Sequence, residues 1–225
     1  MMIISSILIV LVQGGIGNTI NVHAAEATSL DIEIGSIVSF GSYEQDGNLE
    51  NGTEPIEWIV LDKQDDKVLL LSEKILDRRN YFGANYPVTW ENSHLRFWLN
   101  AVFYESAFNE EEQQRIQQTE VVNEDKFQWK TDGGSNTEDY IFLLSISEAE
   151  SYIPNEVDRI AAVTTYANRN ADDSQRDYAD WWLRSPGYRT NDAAYVDRTG
   201  GVPGFANCVS NDVIGVRPAL WVTLD

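Results

Sequence analysis

Cysteine is nearly absent from this chain of 225 residues, with Cys208 its only instance. An internal disulfide is therefore excluded, and packing must hold the fold. Histidine is almost as scarce, being confined to His23 and His94. Zinc and copper centres need clustered Cys and His, so neither is expected. Nucleophilic catalysis of the Ser/His/Asp or Cys/His kind lacks its base for the same reason, and no G-x-S-x-G segment occurs. Positive charge is also in deficit, with 16 Lys and Arg against 36 Asp and Glu and a formal charge of −20. Nucleic acid and anionic lipid reward basic surface, so neither is an expected partner. Cations, basic proteins and neutral sugars stay open.

Long apolar runs are missing beyond the first. Met1 to Val12 is apolar but too short to span a bilayer, and Val22-His23-Ala24 offers small residues ahead of Ala25. The reading is a signal peptide over residues 1–24, although no Lys or Arg precedes the apolar run. Secretion or display at a cell surface follows, and an exported chain without disulfides suits a Gram-positive bacterial envelope. Residues 25–225 then form a single domain, long enough for a sizeable core. Seven Trp, ten Tyr and eight Phe are available to fill it.

The pattern along the chain predicts an α+β domain with a mostly antiparallel sheet, two or three helices and long C-terminal loops. Asp31 to Tyr43 reads as a first strand, and Asp46-Gly47 and Asn51-Gly52 mark turns in the loop after it. Ile56 to Leu61 and Val68 to Leu71 predict a hairpin around Gln64 to Lys67. From Thr89 to Asn100 the period becomes helical through Leu95, Trp98 and Leu99, with Thr89 or Asn92 as cap and Asn100 near the stop. Asn109 with Glu112 reads as a capping-box variant opening a helix to Ile116. Strands are expected at Gln118 to Glu124 and Tyr140 to Leu144, a helix capped by Ser147, and helix over Glu156 to Tyr166.

The C-terminal stretch carries most of the chemistry. Trp181-Trp182, on a strand, would place one indole toward the core and the other toward the surface or the next layer. Arg184 and Arg217 read as buried structural arginines that tie loops down through carbonyls and through carboxylates such as Asp192 or Asp212. His94 reads as structural or exposed, and Cys208 as a buried inert thiol. The Gly/Asn/Asp-rich segment between the two ends presents loops from Pro186 to Asp212. Ligand-binding candidates on it are Trp182, Tyr188, Arg189, Asn191, Asp192, Tyr195, Arg198, Phe205 and Asn211, since aromatics beside Arg and Asn suit recognition surfaces. No cofactor is expected. Calcium stays open because Asp192, Asp197, Asn207, Asn211 and Asp212 offer oxygen ligands, though no metal set is defined.

The segments Trp181-Trp182-Leu183-Arg184-Ser185-Pro186-Gly187, Val196 to Gly200 and Gly215-Val216-Arg217-Pro218-Ala219-Leu220-Trp221 resemble the bacterial family called domain of unknown function 6273. Phe40 to Tyr43, Glu57 to Leu61 and Leu95 to Asn100 match it upstream, in order. More distantly, W-x-R-S, a Gly/Asn loop and a terminal G-V-R strand resemble the C-type-lectin-like fold of formylglycine-generating enzymes and retroelement-diversified binding proteins. That resemblance implies that the first and last strands pair, with Ile37 to Phe40 beside Leu220 to Leu224, and that ligand meets the loops ahead of the last strand. It does not carry over the formylglycine activity, which needs a cysteine pair, nor the lectins' calcium motifs E-P-N and W-N-D, which are missing. The expected function is a secreted, non-catalytic module for a protein or carbohydrate ligand. The alternatives are an enzyme acting on cell wall or sugar through carboxylates in the same cleft, and a structural surface domain.

Overall fold

The computed structural model describes residues 32–126, 128–169 and 177–224. The expected signal segment lies outside the described residues, as does part of the polar stretch around residue 175.

Two sheets of five strands form the frame. The chain enters β1 (Ile37–Tyr43), crosses the acidic loop, and runs through β2 (Glu54–Gln64) and β3 (Lys67–Ser72) as the predicted hairpin. Alternation explains β2: Ile56, Trp58 and Val60 point inward while Glu57 faces out. Next come the two-residue β4 (Asp77–Arg78), a 3₁₀ turn at Trp90–Asn92, and α1 (His94–Trp98), which continues through a π-turn at Leu99–Phe103 into α2 (Tyr104–Ala107). α3 (Glu110–Arg115), β5 (Ile116–Gln117), β6 (Thr119–Val121), β7 (Thr137–Asp139), α4 (Ile146–Tyr152), α5 (Glu156–Arg159) and α6 (Thr165–Asn168) are all short. The chain closes with β8 (Trp181–Pro186), β9 (Asp192–Val196), β10 (Asn207–Cys208), β11 (Gly215–Val216) and β12 (Ala219–Thr223). One sheet has the order β1-β2-β3-β12-β5 and the other β10-β9-β8-β11-β4, with β6 and β7 as a separate pair. Among these strands the pairings are antiparallel except β8 with β11.

Several expectations need correction. The first and last strands do not pair: β12 lies between β3 and β5, and β1 sits at the far edge beside β2. The reason is that β3 is buried almost throughout and needs a neighbour on both edges, one supplied by its hairpin and the other by β12. The helix from His94 is capped by the Ser93 hydroxyl, which accepts from the Arg96 amide at 3.0 Å, and not by Thr89 or Asn92. Nor does it stop at Asn100. That side chain reaches across to the next segment, accepting from the Tyr140 and Ile141 amides and donating to the Ile141 carbonyl. Tyr140 to Leu144 consequently forms no strand of its own beyond one bridge from Phe142 to Ala219. Its backbone groups are instead satisfied by Asn100 and by Arg184, so burial is achieved without a ladder. Ser145 caps α4 in place of Ser147, and Glu156 to Tyr166 splits into α5 and α6. The Asn109 capping box forms as expected. In place of two or three helices, the helical content is dispersed in α pieces of four to seven residues.

Candidate ligand cleft

The tryptophan pair and the two arginines build the base of the C-terminal half. β8 is flanked by β9 and β11, and both of its indoles are fully buried. Trp181 Nε1 donates to the Arg159 carbonyl at 3.0 Å and Trp182 Nε1 to the Arg79 carbonyl at 2.8 Å. Trp182 is thus a core residue and not a ligand contact. A strand with layers on both sides has no outward face, and period two alone could not show that. Arg217 is buried over the Trp181 ring and donates Nε to the Ser72 carbonyl at 2.8 Å. Burial draws its guanidinium down to about 10. The carboxylates named for the two arginines, Asp192 and Asp212, are not their partners.

Arg184 instead reaches Glu148, which it engages with both terminal nitrogens. The same guanidinium donates to the Leu143 carbonyl at 2.8 Å and the Val122 carbonyl at 3.0 Å. It therefore ties the segment after β6 to the first turns of α4. Ser185, the next residue, accepts from the Ile146 amide at 2.9 Å through its hydroxyl. These two elements are the walls of an open cleft of about 280 Å³. Glu124, Asp125, Lys126 and Gln128 line one wall and Ile146, Ser147 and Glu150 the other; Ser185, Val202, Pro203 and Gly204 complete it.

The aromatic rings next to this cleft come from two distant loops. Trp129 and Tyr188 meet edge to face, with centroids 5.3 Å apart, and both are exposed. The 126–131 turn is held closed by the Lys126 amide on the Thr131 carbonyl at 2.9 Å, with Lys130 at φ +52, and the Thr131 hydroxyl donates to the Tyr188 carbonyl at 3.2 Å. Lys126 lays its ammonium over the Trp129 ring at 5.3 Å, and burial holds its pKa below the ordinary lysine value. Gly204 approaches the Trp129 ring and leads into Phe205, which is 75% exposed.

The other loop candidates divide. Tyr188, Arg189 and Asn191 sit at the β8–β9 turn, whereas Tyr195 and Arg198 lie toward the opposite end of β9, a strand length of on the order of 16 Å away. Asn191 donates to the Asn85 side chain and Asn211 to Asn207, so both amides brace loops. Asp192 closes the turn through backbone bonds, its carbonyl accepting from the Gly187 amide and its amide donating to Arg189. Tyr195 is half-buried, and its phenol is pushed up first by burial and then by Asp180 and Asp197. Burial would raise Asp197, but the Thr199 hydroxyl and amide, the Gly201 amide and Arg198 together hold it below the usual range. Asp197 thereby shapes its own loop. The loop is anchored at Gly200, where φ is +88 and an added Cβ would collide with the Glu156 carbonyl. Arg159 Nε donates to the Gly200 carbonyl at 2.8 Å. Sequence reading missed Trp129, Lys126 and Glu150 altogether. The available signal was Trp129 beside Lys130 ahead of a Gly-Gly turn, a large aromatic in an otherwise polar loop.

A model of the family described as Domain of unknown function (DUF6273) matches residues 65–224. The chain belongs to this family. The DUF6273 span takes in every element of the cleft, while β1 and all of β2 precede it, so the motif matches at Phe40 to Tyr43 and Glu57 to Leu61 fall outside it. Comparison with curated proteins and with solved structures gave no match. Within the DUF6273 span, the W-W-L-R-S signature acquires a local meaning, because its Arg184 and Ser185 clamp the two cleft walls.

A second cleft, of about 440 Å³, opens among Asp46, Glu54, Glu57, Glu73, Lys74 and Thr164. Glu73 is raised above the ordinary carboxylate range, first by burial and then by a hydrogen bond with Glu57. Glu44, Asp46 and Glu54 have carboxylate oxygens within 4.8 Å of one another, but they are used to cap the loop amides of Gln45, Gly47 and Asn48. His94 is exposed, packs at a tilt against Phe82 and accepts from the Gly83 amide. Cys208 is half-buried rather than fully enclosed, with its sulfur 3.2 Å from the Ser210 hydroxyl. Its strand is at the sheet edge, which leaves one side uncovered.

Proposed function

We propose that this DUF6273 chain is a secreted, non-catalytic recognition module that takes a carbohydrate in the cleft between the 124–129 segment and α4. The observation that carries the reading is the exposed Trp129–Tyr188 pair standing next to a polar cleft. Aromatic faces cover the apolar faces of sugar rings, while carboxylates, hydroxyls and amides, here Glu124, Ser147, Gln128 and Ser185, bond their hydroxyls. The cavity, at about 280 Å³, matches the small end of ligand sites at roughly 300 Å³ and suits one or two sugar rings. Of the sequence candidates, Tyr188 and Phe205 belong to this surface. The reading stands on the cleft and does not need the C-type-lectin-like architecture that the C-terminal motifs imply. The test is binding of the purified chain to arrayed glycans and cell-wall fragments, with calcium and with chelator in parallel. A hit that disappears in Trp129→Ala and Tyr188→Ala supports the reading, the chelator arm assigns or removes calcium, and silence across the array overturns it.

One observation favours a second reading. Glu73, raised above the ordinary carboxylate range by burial and by Glu57 beside it, lines the larger cleft together with Glu57, and two carboxyls in one cleft with one pKa raised is an arrangement used in acid–base hydrolysis. Turnover of cell-wall fragments that Glu73→Gln abolishes, with folding intact, would favour it over simple recognition.

A further inference from the structure

We propose that the glycan taken by the Trp129 cleft carries free amino groups, so that the ligand is a hexosamine oligomer and not its N-acetylated or neutral counterpart. This rests on the carbohydrate reading and specifies its chemistry.

The argument begins with the charges that face the cleft. Three carboxylates, Glu124, Asp125 and Glu150, line it against one amine, Lys126. The amine is not spent on a carboxylate at ion-pair distance: its ammonium lies over the Trp129 ring. Each acid keeps acceptor capacity. Glu124 uses one oxygen for the Ser147 hydroxyl at 3.0 Å, and Asp125 uses one for the Gly133 amide at 3.0 Å. Among the described residues the Glu150 carboxylate has no hydrogen-bond partner, and its influence is seen only in the Coulombic pull on Lys126. The cleft is therefore a cation acceptor with surplus negative charge, set in a chain of charge −20. An acidic sugar would be repelled. A neutral sugar would gain the stacking and hydroxyl bonds alone. An amino sugar would gain these and, in addition, ammonium–carboxylate hydrogen bonds, which are shorter and stronger than neutral ones. The Trp129 ring beside the cleft, which already attracts one ammonium, adds cation–π attraction for a second. The ring-sized cavity, the paired aromatics and the serine hydroxyls favour a sugar over a lysine-rich peptide, whose flexible cations need no stacking platform.

The experiment measures affinity of the purified full chain for four probes: a β-linked glucosamine tetramer, the same tetramer fully N-acetylated, a glucose tetramer and a lysine-rich peptide. Exposed ion pairs contribute modestly, so two or three of them together predict a preference of roughly tenfold for the glucosamine tetramer at low salt. Added salt should erode that preference, and Asp125→Asn with Glu150→Gln should reduce it to about twofold while leaving the neutral tetramers unchanged. Both positions are exposed, so a melting curve matching the parent's confirms that folding is intact. Equal affinity for all three tetramers, each lost in Trp129→Ala, overturns this inference and leaves the carbohydrate reading standing. Binding of the peptide with none of the tetramers overturns both, as does binding of no probe.

Discussion

Replacement of Arg217 tests whether this chain buries a guanidinium for its charge or for its bulk. The side chain is 1% exposed, donates to the Ser72 and Glu73 carbonyls at 2.8 and 3.4 Å, and leaves Nη1 without a partner. Drawing the guanidinium down to about 10 corresponds to a penalty on the buried charge of about 3 kcal/mol. Arg217→Ala removes that penalty but opens a large cavity, costing about 3 to 4 kcal/mol, and strands two carbonyls at about 1 to 2 kcal/mol each. The net expectation is a loss of about 2 to 5 kcal/mol. Arg217→Met keeps most of the volume, so relief of the charge and loss of the two bonds nearly cancel, within about 1 kcal/mol. The assay is urea unfolding of the purified variants at neutral pH, with midpoints compared at constant slope. The linkage has a definite sign. The folded state holds its proton less tightly than the unfolded chain, so the penalty is constant below pH 10 and fades as pH rises above it. If Met proves as damaging as Ala, the bonds to Ser72 and Glu73 outweigh packing and the reasoning fails.

Gly200→Ala should lower stability by roughly 2 to 4 kcal/mol, combining left-handed backbone strain with the collision against Glu156, and so lower the melting temperature by roughly 5 to 15 °C; an unchanged melting curve would show that the 197–201 loop is not anchored there. Glu73→Gln should stabilise the fold at neutral pH and have little effect at about pH 4, because a carboxyl with a raised folded pKa loses stability as pH rises through that pKa; a stabilisation that does not depend on pH would refute the raised carboxyl. Cys208→Ser should leave glycan affinity unchanged, since the thiol, on β10, does not line the cleft; affinity lost with folding intact would give the thiol a role.

What the sequence determined by itself is what neighbours in the chain decide. The hairpin of β2 and β3 follows from two apolar runs around Asp65-Asp66, and α3 from an asparagine and a glutamate three apart, because both are closed by local bonds. The motif ends at Trp181 and Gly215 likewise identified the DUF6273 family and the buried arginines. Tertiary structure decided everything that depends on a partner far along the chain. Tyr140 to Leu144 has the composition of a strand, yet its amides are taken by Asn100, some 40 positions earlier, so the ladder never forms. Trp182 looks like half of an inward–outward pair, yet both indoles of β8 are fully buried. The cleft is the extreme case. Thr131 and Tyr188 lie 57 positions apart, and Arg184 joins the segment after β6 to α4 from a third segment. No period or spacing encodes such a meeting, because it is fixed by side-chain bonds that exist only once the two sheets have assembled.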